Sequence, residues 1–125
     1  MGELYLVMKK MEEKKKVWKD FTFKLFGTTW KVHFVEFIPL REDEPEGEVH
    51  WGNCNDNNDT ITIALGTPNG YKFSDRKISL TLLHELSHAI CGTGNYKITN
   101  DEPFIEWMGR CWMSLIEQNV IDHVC

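Results

Sequence analysis

The chain has 125 residues, 42% of them hydrophobic, so it is long enough for one compact domain with a single core. Its 14 basic and 19 acidic residues give a net charge of −5, which disfavours nucleic acid or an anionic membrane as a partner. No apolar run approaches the roughly 18 residues that span a bilayer, and the N-terminus lacks the basic and then apolar layout of a secretory signal. We therefore expect one domain over residues 1–125, located in the cytoplasm.

The four cysteines are widely scattered and form no CxxC pair; they are Cys54, Cys91, Cys111 and Cys125. This spacing disfavours a structural zinc site of the knuckle or ribbon type. In a chain without a secretion signal it predicts free thiols that pack as small apolar groups. A cysteine nucleophile is the less favoured alternative, because a metal site already supplies the chemistry.

The N-terminal third of the chain predicts a helix followed by a β-hairpin. Between residues 3 and 18, apolar side chains recur at helical spacing, which indicates an amphipathic helix. Its lysines cluster at 9–16, a pattern typical of the solvated face of a helix. Residues 21–26 and 29–37 alternate in character and are rich in aromatic and β-branched side chains. The short link between them, which contains Gly27, predicts a hairpin.

Two polar stretches separate the hairpin from the next strand. Residues 39–48 combine prolines, a glycine and several acids, which predicts a solvated loop. Residues 53–59 are crowded with Asn and Asp, and they predict a turn. The alternating segment Thr60–Leu65 then predicts a strand.

Residues 84 to 88 read His-Glu-Leu-Ser-His and are the most informative stretch of the chain. On a helix, His84 and His88 project from one face, so both imidazoles can reach one metal ion. Glu85 sits one step around the helix, where it can contact a water bound to that metal. The composition gives a chance expectation of about 0.02 such matches. Two core histidines that merely flank a glutamate are disfavoured, because a buried ionised Glu85 would need a partner.

The sequence around the motif predicts the helix that the motif requires. Apolar residues recur at helical spacing over residues 78–91, and the two histidines fall on a different stripe. Ser74 or Asp75 can cap the start of this helix, and Gly92 with Gly94 can end it.

A hydrolytic zinc site uses three protein ligands and leaves one position open. We expect the third ligand from a second helix that begins at Asn100 or Asp101 and continues past residue 115. Glu106 is preferred over Glu102, because Glu106 shares a stripe with Gly109, where two helices can approach closely. An acid in the first turn, such as Glu102, is commonly explained by the helix dipole alone.

These features resemble the minimal gluzincin metallopeptidases of the ImmA/IrrE type, and similar small metallopeptidases are often encoded in bacteriophage genomes. The resemblance covers roughly residues 60–116, and its most specific part is the HExxH motif. That family follows its HExxH helix with Glu-x-x-Ala-x-x-Trp/Phe-Ala, in which the Glu binds zinc. The matching positions here are Glu106, Gly109, Trp112 and Met113.

The resemblance implies an α+β zincin-like domain with an N-terminal helix, a short antiparallel sheet, the HExxH helix and a C-terminal helix. The sheet would consist of the hairpin and an edge strand. His84, His88 and Glu106 would bind Zn²⁺, and Glu85 would act as the general base in peptide-bond hydrolysis. A protein or peptide substrate would pair with Thr60–Leu65 as the edge strand.

Several alternatives stay open at this point. A catalytically silent metal-binding module, such as a phage protein that binds a host factor, would keep the fold without turnover. A SprT-like DNA-associated protease would use the lysines at 9–16, but such proteases take a third histidine, and the only later one, His123, is a poor candidate. Tyr96 or His50 could supply a second donor to the substrate carbonyl, although each pattern is more typical of an ordinary surface residue.

Overall fold

The computed structural model describes residues 3–4, 17–93 and 100–118. The elements in chain order are β1 (Phe21–Leu25), β2 (Thr28–Val35), β3 (Gly52–Asn55), β4 (Thr60–Ala64), α1 (Asp75–Thr93) and α2 (Glu102–Glu117). The predicted α+β class is confirmed, as a four-stranded mixed sheet followed by two helices. Most of the helix predicted over residues 3–18 lies outside the described residues; of those described, Glu3 and Leu4 are helical, whereas Val17 and Trp18 are not.

The first two strands form the predicted hairpin, with Leu25 opposite Thr28. Phe26 and Gly27 connect them with φ angles of 50° and 82°. Both central residues of a two-residue type I′ turn need this left-handed conformation, which glycine adopts without steric cost. The strands end slightly earlier than the sequence pattern predicted, but the hairpin itself is confirmed.

The sheet has the strand order β1-β2-β4-β3. β4 runs parallel to β2 on one side and antiparallel to β3 on the other. The prediction of a purely antiparallel sheet is therefore wrong, because β4 enters the sheet by a crossover. The prediction that Thr60–Leu65 is an edge strand is also wrong. The polar stretch predicted as a turn begins with β3, which supplies hydrogen bonds along the outer side of β4.

The core lies between the sheet and α1. β4 contributes Ile61 and Ile63, which are fully buried, and its central place in the sheet explains why its inward side is wholly apolar. α1 contributes Leu82 and Leu86, in agreement with the helical spacing of its leucines. Met113 of α2 packs on the same cluster. The second helix is therefore fixed against α1 on the side that carries the motif.

Both helices begin at residues that the sequence predicted as caps. Ser74 Oγ accepts a hydrogen bond from the backbone N–H of Lys77 at 3.1 Å, and the Asp101 carboxylate accepts one from the N–H of Phe104, also at 3.1 Å. Each cap satisfies one of the otherwise unpaired donors of a first helical turn. Over the described ranges, neither helix has a stretch that is both long enough and apolar enough to cross a bilayer.

Candidate metal centre

Helix α1 carries the motif on the face that its core leucines leave free. The His84 and His88 side chains are only 20% and 15% exposed, and their rings meet edge to face with centroids 5.1 Å apart. One ligand atom from each of His84, Glu85 and His88 lies within 4.8 Å of the other two. The predicted cluster with HExxH spacing is thus confirmed as a group that could hold a metal ion.

The carboxylate of Glu102 bridges the two imidazoles from the first turn of α2. Its Oε2 lies 3.1 Å from Nε2 of His84, and its Oε1 lies 3.0 Å from Nε2 of His88. The two ring nitrogens that face the same carboxylate come from adjacent turns of α1. Three potential ligand groups from two helices therefore converge on one point.

The hydrogen bonding of His84 makes this point suitable for a cation. Its Nδ1 lies 2.8 Å from Glu106 Oε2, and a carboxylate accepts this bond only from a protonated Nδ1. In the neutral ring the lone pair is then on Nε2, which faces Glu102, itself an acceptor. A metal ion or a second ring proton would satisfy both acceptors. The separations of 3.0 and 3.1 Å are also close to the roughly 3.3 Å expected between two ligands of a tetrahedral zinc ion.

Glu106 has a different position from Glu102. It contacts Nδ1 of His84, the nitrogen on the far side of the ring, and it also accepts a hydrogen bond from Arg110 Nε at 3.1 Å. Partial burial raises the pKa of Glu106, but the hydrogen bonds from His84 and Arg110 outweigh it and hold the pKa below its ordinary value. Glu106 is therefore an anion that fixes the orientation and tautomer of the His84 ring.

Glu85 is the buried acid of the cluster, with only 6% of its surface exposed. Burial raises its pKa to about 7, against a lowering effect of His84 and with a further rise due to Glu102. A carboxyl group whose pKa lies near neutral pH can both accept and return a proton. Glu85 is thus a buried carboxyl group that can exchange a proton near neutral pH in the metal-free cluster.

Gly109 explains how α2 comes close enough to α1 to bring its acids to the motif. A Cβ atom at this position would lie 3.2 Å from the backbone nitrogen of His84 and 3.4 Å from its Cα. The missing side chain allows the two helix backbones to touch beside the first histidine. The sequence-based expectation of a close helix approach at Gly109 is confirmed.

The cluster lies in a cleft that continues on both sides of it. One half has a volume of about 360 Å³ and is lined by polar groups that include Asn53 and Asp56. The other half has a volume of about 270 Å³ and contains more apolar side chains. His84, Glu85 and Glu102 line both halves. A ligand that follows the cleft would therefore pass directly over the motif.

Cys54 lies in the polar half of this cleft, a position that the sequence pattern did not predict. Burial raises the pKa of its thiol to about 12, and the carboxylates of Asp56 and Glu85 add to the rise. A thiol that stays protonated at neutral pH is a poor nucleophile. Cys54, Cys91 and Cys111 form no disulfide, and Cys125 lies outside the described residues. The predicted apolar packing holds only in part for Cys54, which packs against the core cluster while its thiol donates a hydrogen bond to the Asp56 carboxylate at 3.7 Å.

The remaining candidate residues have simpler outcomes. His50 lines the more apolar half of the cleft, where its Nε2 pairs with the carboxylate of Glu44. Tyr96, His123 and the lysines at 9–16 lie outside the described residues. Lys77 also lines the cleft, although the sequence reasoning passed over it. Its position seven residues before His84, on the same helical face, was the signal that could have found it.

Comparisons with known proteins add no relative from which a function could be transferred. The chain matches no protein-family model, and neither a search of curated proteins nor one of solved structures finds a match. The functional argument therefore depends on the geometry of the cluster and its cleft.

Proposed function

We propose that this protein is a zinc-dependent peptidase of the gluzincin type. The observation that carries the proposal is the convergence of Nε2 of His84, Nε2 of His88 and the Glu102 carboxylate beside the buried acid Glu85. Nitrogen and carboxylate ligands in this combination suit zinc, and a site with three protein ligands leaves one position open for chemistry.

Within this proposal, Glu102 is the third ligand. It contacts both Nε2 atoms, whereas Glu106 contacts only Nδ1 of His84, the nitrogen turned away from the shared point. Ligating histidines commonly donate their other N–H to a carboxylate, which raises the basicity of the ligand and fixes its orientation. Glu106 has that supporting role here. The sequence-based preference for Glu106 as the ligand stays a prediction, and the geometry favours its alternative.

Zinc bound at this point would act as a Lewis acid that polarises the scissile carbonyl and acidifies a water molecule. Glu85 takes the proton of the attacking water and returns it to the nitrogen of the leaving amine. In the metal-free protein, burial raises the pKa of Glu85 to about 7, so this carboxylate binds a proton more tightly than an exposed glutamate does. Glu106 keeps a proton on Nδ1 of His84, so that Nε2 stays available as a ligand.

The substrate is proposed to lie along β3. This strand pairs only with β4 within the described part of the chain, so its other edge has free backbone groups. Gly52, Asn53 and Cys54 of β3 line the cleft at the motif. An extended peptide can bind such an edge through main-chain hydrogen bonds. In this proposal β3, and not the predicted segment Thr60–Leu65, is the edge strand that pairs with the substrate.

The decisive experiment measures zinc content by native mass spectrometry together with peptide cleavage. We expect one zinc per wild-type chain, strongly reduced zinc for Glu102→Ala, and full zinc without cleavage for Glu85→Gln. Glu48→Ala, which removes an exposed acid, is the matched control. A chain that takes up no zinc would contradict the metal site. A wild-type chain that binds one zinc but cleaves no peptide would favour the non-catalytic binding module instead.

A further inference from the structure

The more apolar half of the cleft has a distinct chemical character. Its walls include the apolar side chains of Val49, Trp51 and Leu80, and Lys77 lies among them. The acids of the candidate metal centre also line this cavity, namely Glu85, Glu102 and Glu106. Two of the apolar side chains, Val49 and Trp51, remain 41% and 46% exposed, so apolar surface is available beside the metal centre. The cavity of about 270 Å³ is large enough for one amino-acid side chain.

Lys77 is held in this cavity by Trp51. Its Nζ lies 3.3 Å from the centroid of the indole ring, a cation–π contact that fixes the ammonium over the aromatic face. Partial burial lowers the pKa of Lys77, against the attraction of Glu106. The ammonium is thus partly stripped of water and kept at a defined position.

The positive charge of Lys77 is not neutralised by a contacting acid. No carboxylate among the described residues lies within 4.0 Å of its ammonium group. Glu106 is the nearby acid that acts on it, and this acid already contacts His84 and Arg110. Arg110 adds a further positive charge to the same region, as its lowering effect on the Lys77 pKa indicates. An anion entering the cavity would therefore meet a cation that contacts the Trp51 ring but no carboxylate among the described residues.

We propose that this cavity is a subsite that binds a carboxylate of the substrate through Lys77. The inference rests on the proposed peptidase function and adds a substrate class to it. The carboxylate belongs either to an Asp or Glu side chain or to the C-terminus of the substrate. The aliphatic part of that residue packs on Trp51 and Leu80, while its charged end reaches the ammonium.

The distance along α1 limits where the carboxylate stands in the substrate. Lys77 and His84 are seven residues apart on the helix, so their Cα atoms are separated by about 10 Å. An extended peptide covers about 3.3–3.6 Å per residue. The acidic group therefore lies within three residues of the scissile bond, always on the same side of it.

Cleavage mapping tests the specificity directly. The zinc-loaded protein is incubated with a mixed peptide library, and mass spectrometry of the products gives the residues around each cut. We expect Asp, Glu or a free C-terminus to be enriched at one position within three residues of the cut. Lys77→Met should lose that enrichment, Lys77→Arg should keep it, and Lys24→Met, on the far edge strand β1, should not alter it. Cleavage by the wild type without acidic enrichment would overturn the subsite and leave the peptidase proposal standing.

A binding measurement separates the subsite from catalysis. Titration calorimetry on zinc-loaded Glu85→Gln protein compares three peptides that are otherwise identical. The first is amidated and has Glu at the mapped position, the second is amidated and has Gln there, and the third has Gln there and a free C-terminus. If no cleavage is found, Glu is walked through successive positions. We expect one of the two carboxylate peptides to bind about tenfold more tightly than the amidated Gln peptide, and the difference to vanish in Lys77→Met. Equal binding of all three peptides overturns the carboxylate subsite. Selective binding of a carboxylate peptide, with no cleavage by the wild type, supports the subsite and contradicts the peptidase proposal.

Discussion

Replacing Glu85 by Gln should stabilise the metal-free protein at alkaline pH. Burial raises the pKa of Glu85 from 4.5 to about 7, so the folded chain holds this proton more tightly than the unfolded chain does. At about 1.4 kcal/mol for each tenfold change in proton affinity, the ionised carboxylate costs about 3 kcal/mol of folding free energy above pH 7. Gln has nearly the same shape and cannot ionise, so the variant avoids this cost.

The sign of the effect defines the pH window. Below the unfolded-state pKa of 4.5, Glu85 is protonated in both states and wild type and variant should be similar. As the pH rises from 4.5 to about 7, only the unfolded chain loses this proton, so the wild type loses stability relative to the variant. The expected difference is below about 1 kcal/mol at pH 5 and approaches about 3 kcal/mol at pH 8.

Urea denaturation in the presence of a chelator, at pH 5 and pH 8, measures this difference. The matched control is Glu48→Gln, which removes the charge of an exposed acid and should change the unfolding free energy by less than about 0.5 kcal/mol at either pH. A Glu85→Gln variant that is no more stable than the wild type at pH 8 would refute the reasoning. So would a gain of equal size at both pH values, because it would not arise from ionisation.

Three further predictions concern the helix pair. Glu106→Gln should weaken zinc binding about 10- to 100-fold, as expected for a carboxylate that supports a ligating histidine, and Glu102→Gln should weaken it more. Competition with a chromogenic chelator gives both affinities, and the reverse order would assign the role of third ligand to Glu106. Gly109→Ala should cost about 1 kcal/mol net, since crowding against His84 exceeds the gain in helix propensity; thermal unfolding checks this, and an unchanged or higher Tm would contradict the tight contact. Ser74→Ala should cost about 1 kcal/mol through loss of the α1 cap, and urea unfolding with unchanged stability would show that the cap contributes nothing.

The sequence predicted the elements whose signals are local. The alternation of side-chain character and the turn residue Gly27 predicted the hairpin. The capping residues and the helical spacing of apolar side chains predicted both helices. β3 was missed, because Gly, Asn and Cys have little intrinsic preference for strands. Those residues become a strand only because β4 offers hydrogen bonds along its outer side. A pairing of this kind, like the parallel pairing of β2 with β4, depends on contacts between distant segments.

The candidate site shows the same division. The spacing of His84, Glu85 and His88 fixes their relation on one helix, so the cluster was predictable. The ranking of Glu102 and Glu106 was not, because two acids four residues apart occupy nearly the same side of α2. Which of them reaches the Nε2 atoms depends on how α2 crosses α1, and the sequence does not specify that crossing.

Two glycines determine how closely the walls of the cleft approach α1. A Cβ at Gly52 would lie 2.9 Å from the carbonyl oxygen of Thr62 and 3.0 Å from Cγ2 of Thr81, and a Cβ at Gly109 would lie 3.2 Å from the backbone nitrogen of His84. The missing side chain of Gly52 allows the edge strand β3 to lie close to α1. The missing side chain of Gly109 does the same for α2 and its acids. Metal–ligand distances tolerate changes of only about 0.2 Å, which is comparable to the shift that an added methyl group would force. A substitution at Gly109 should therefore weaken zinc binding at the proposed site, even where the hydrophobic core tolerates the wider separation of the two helices.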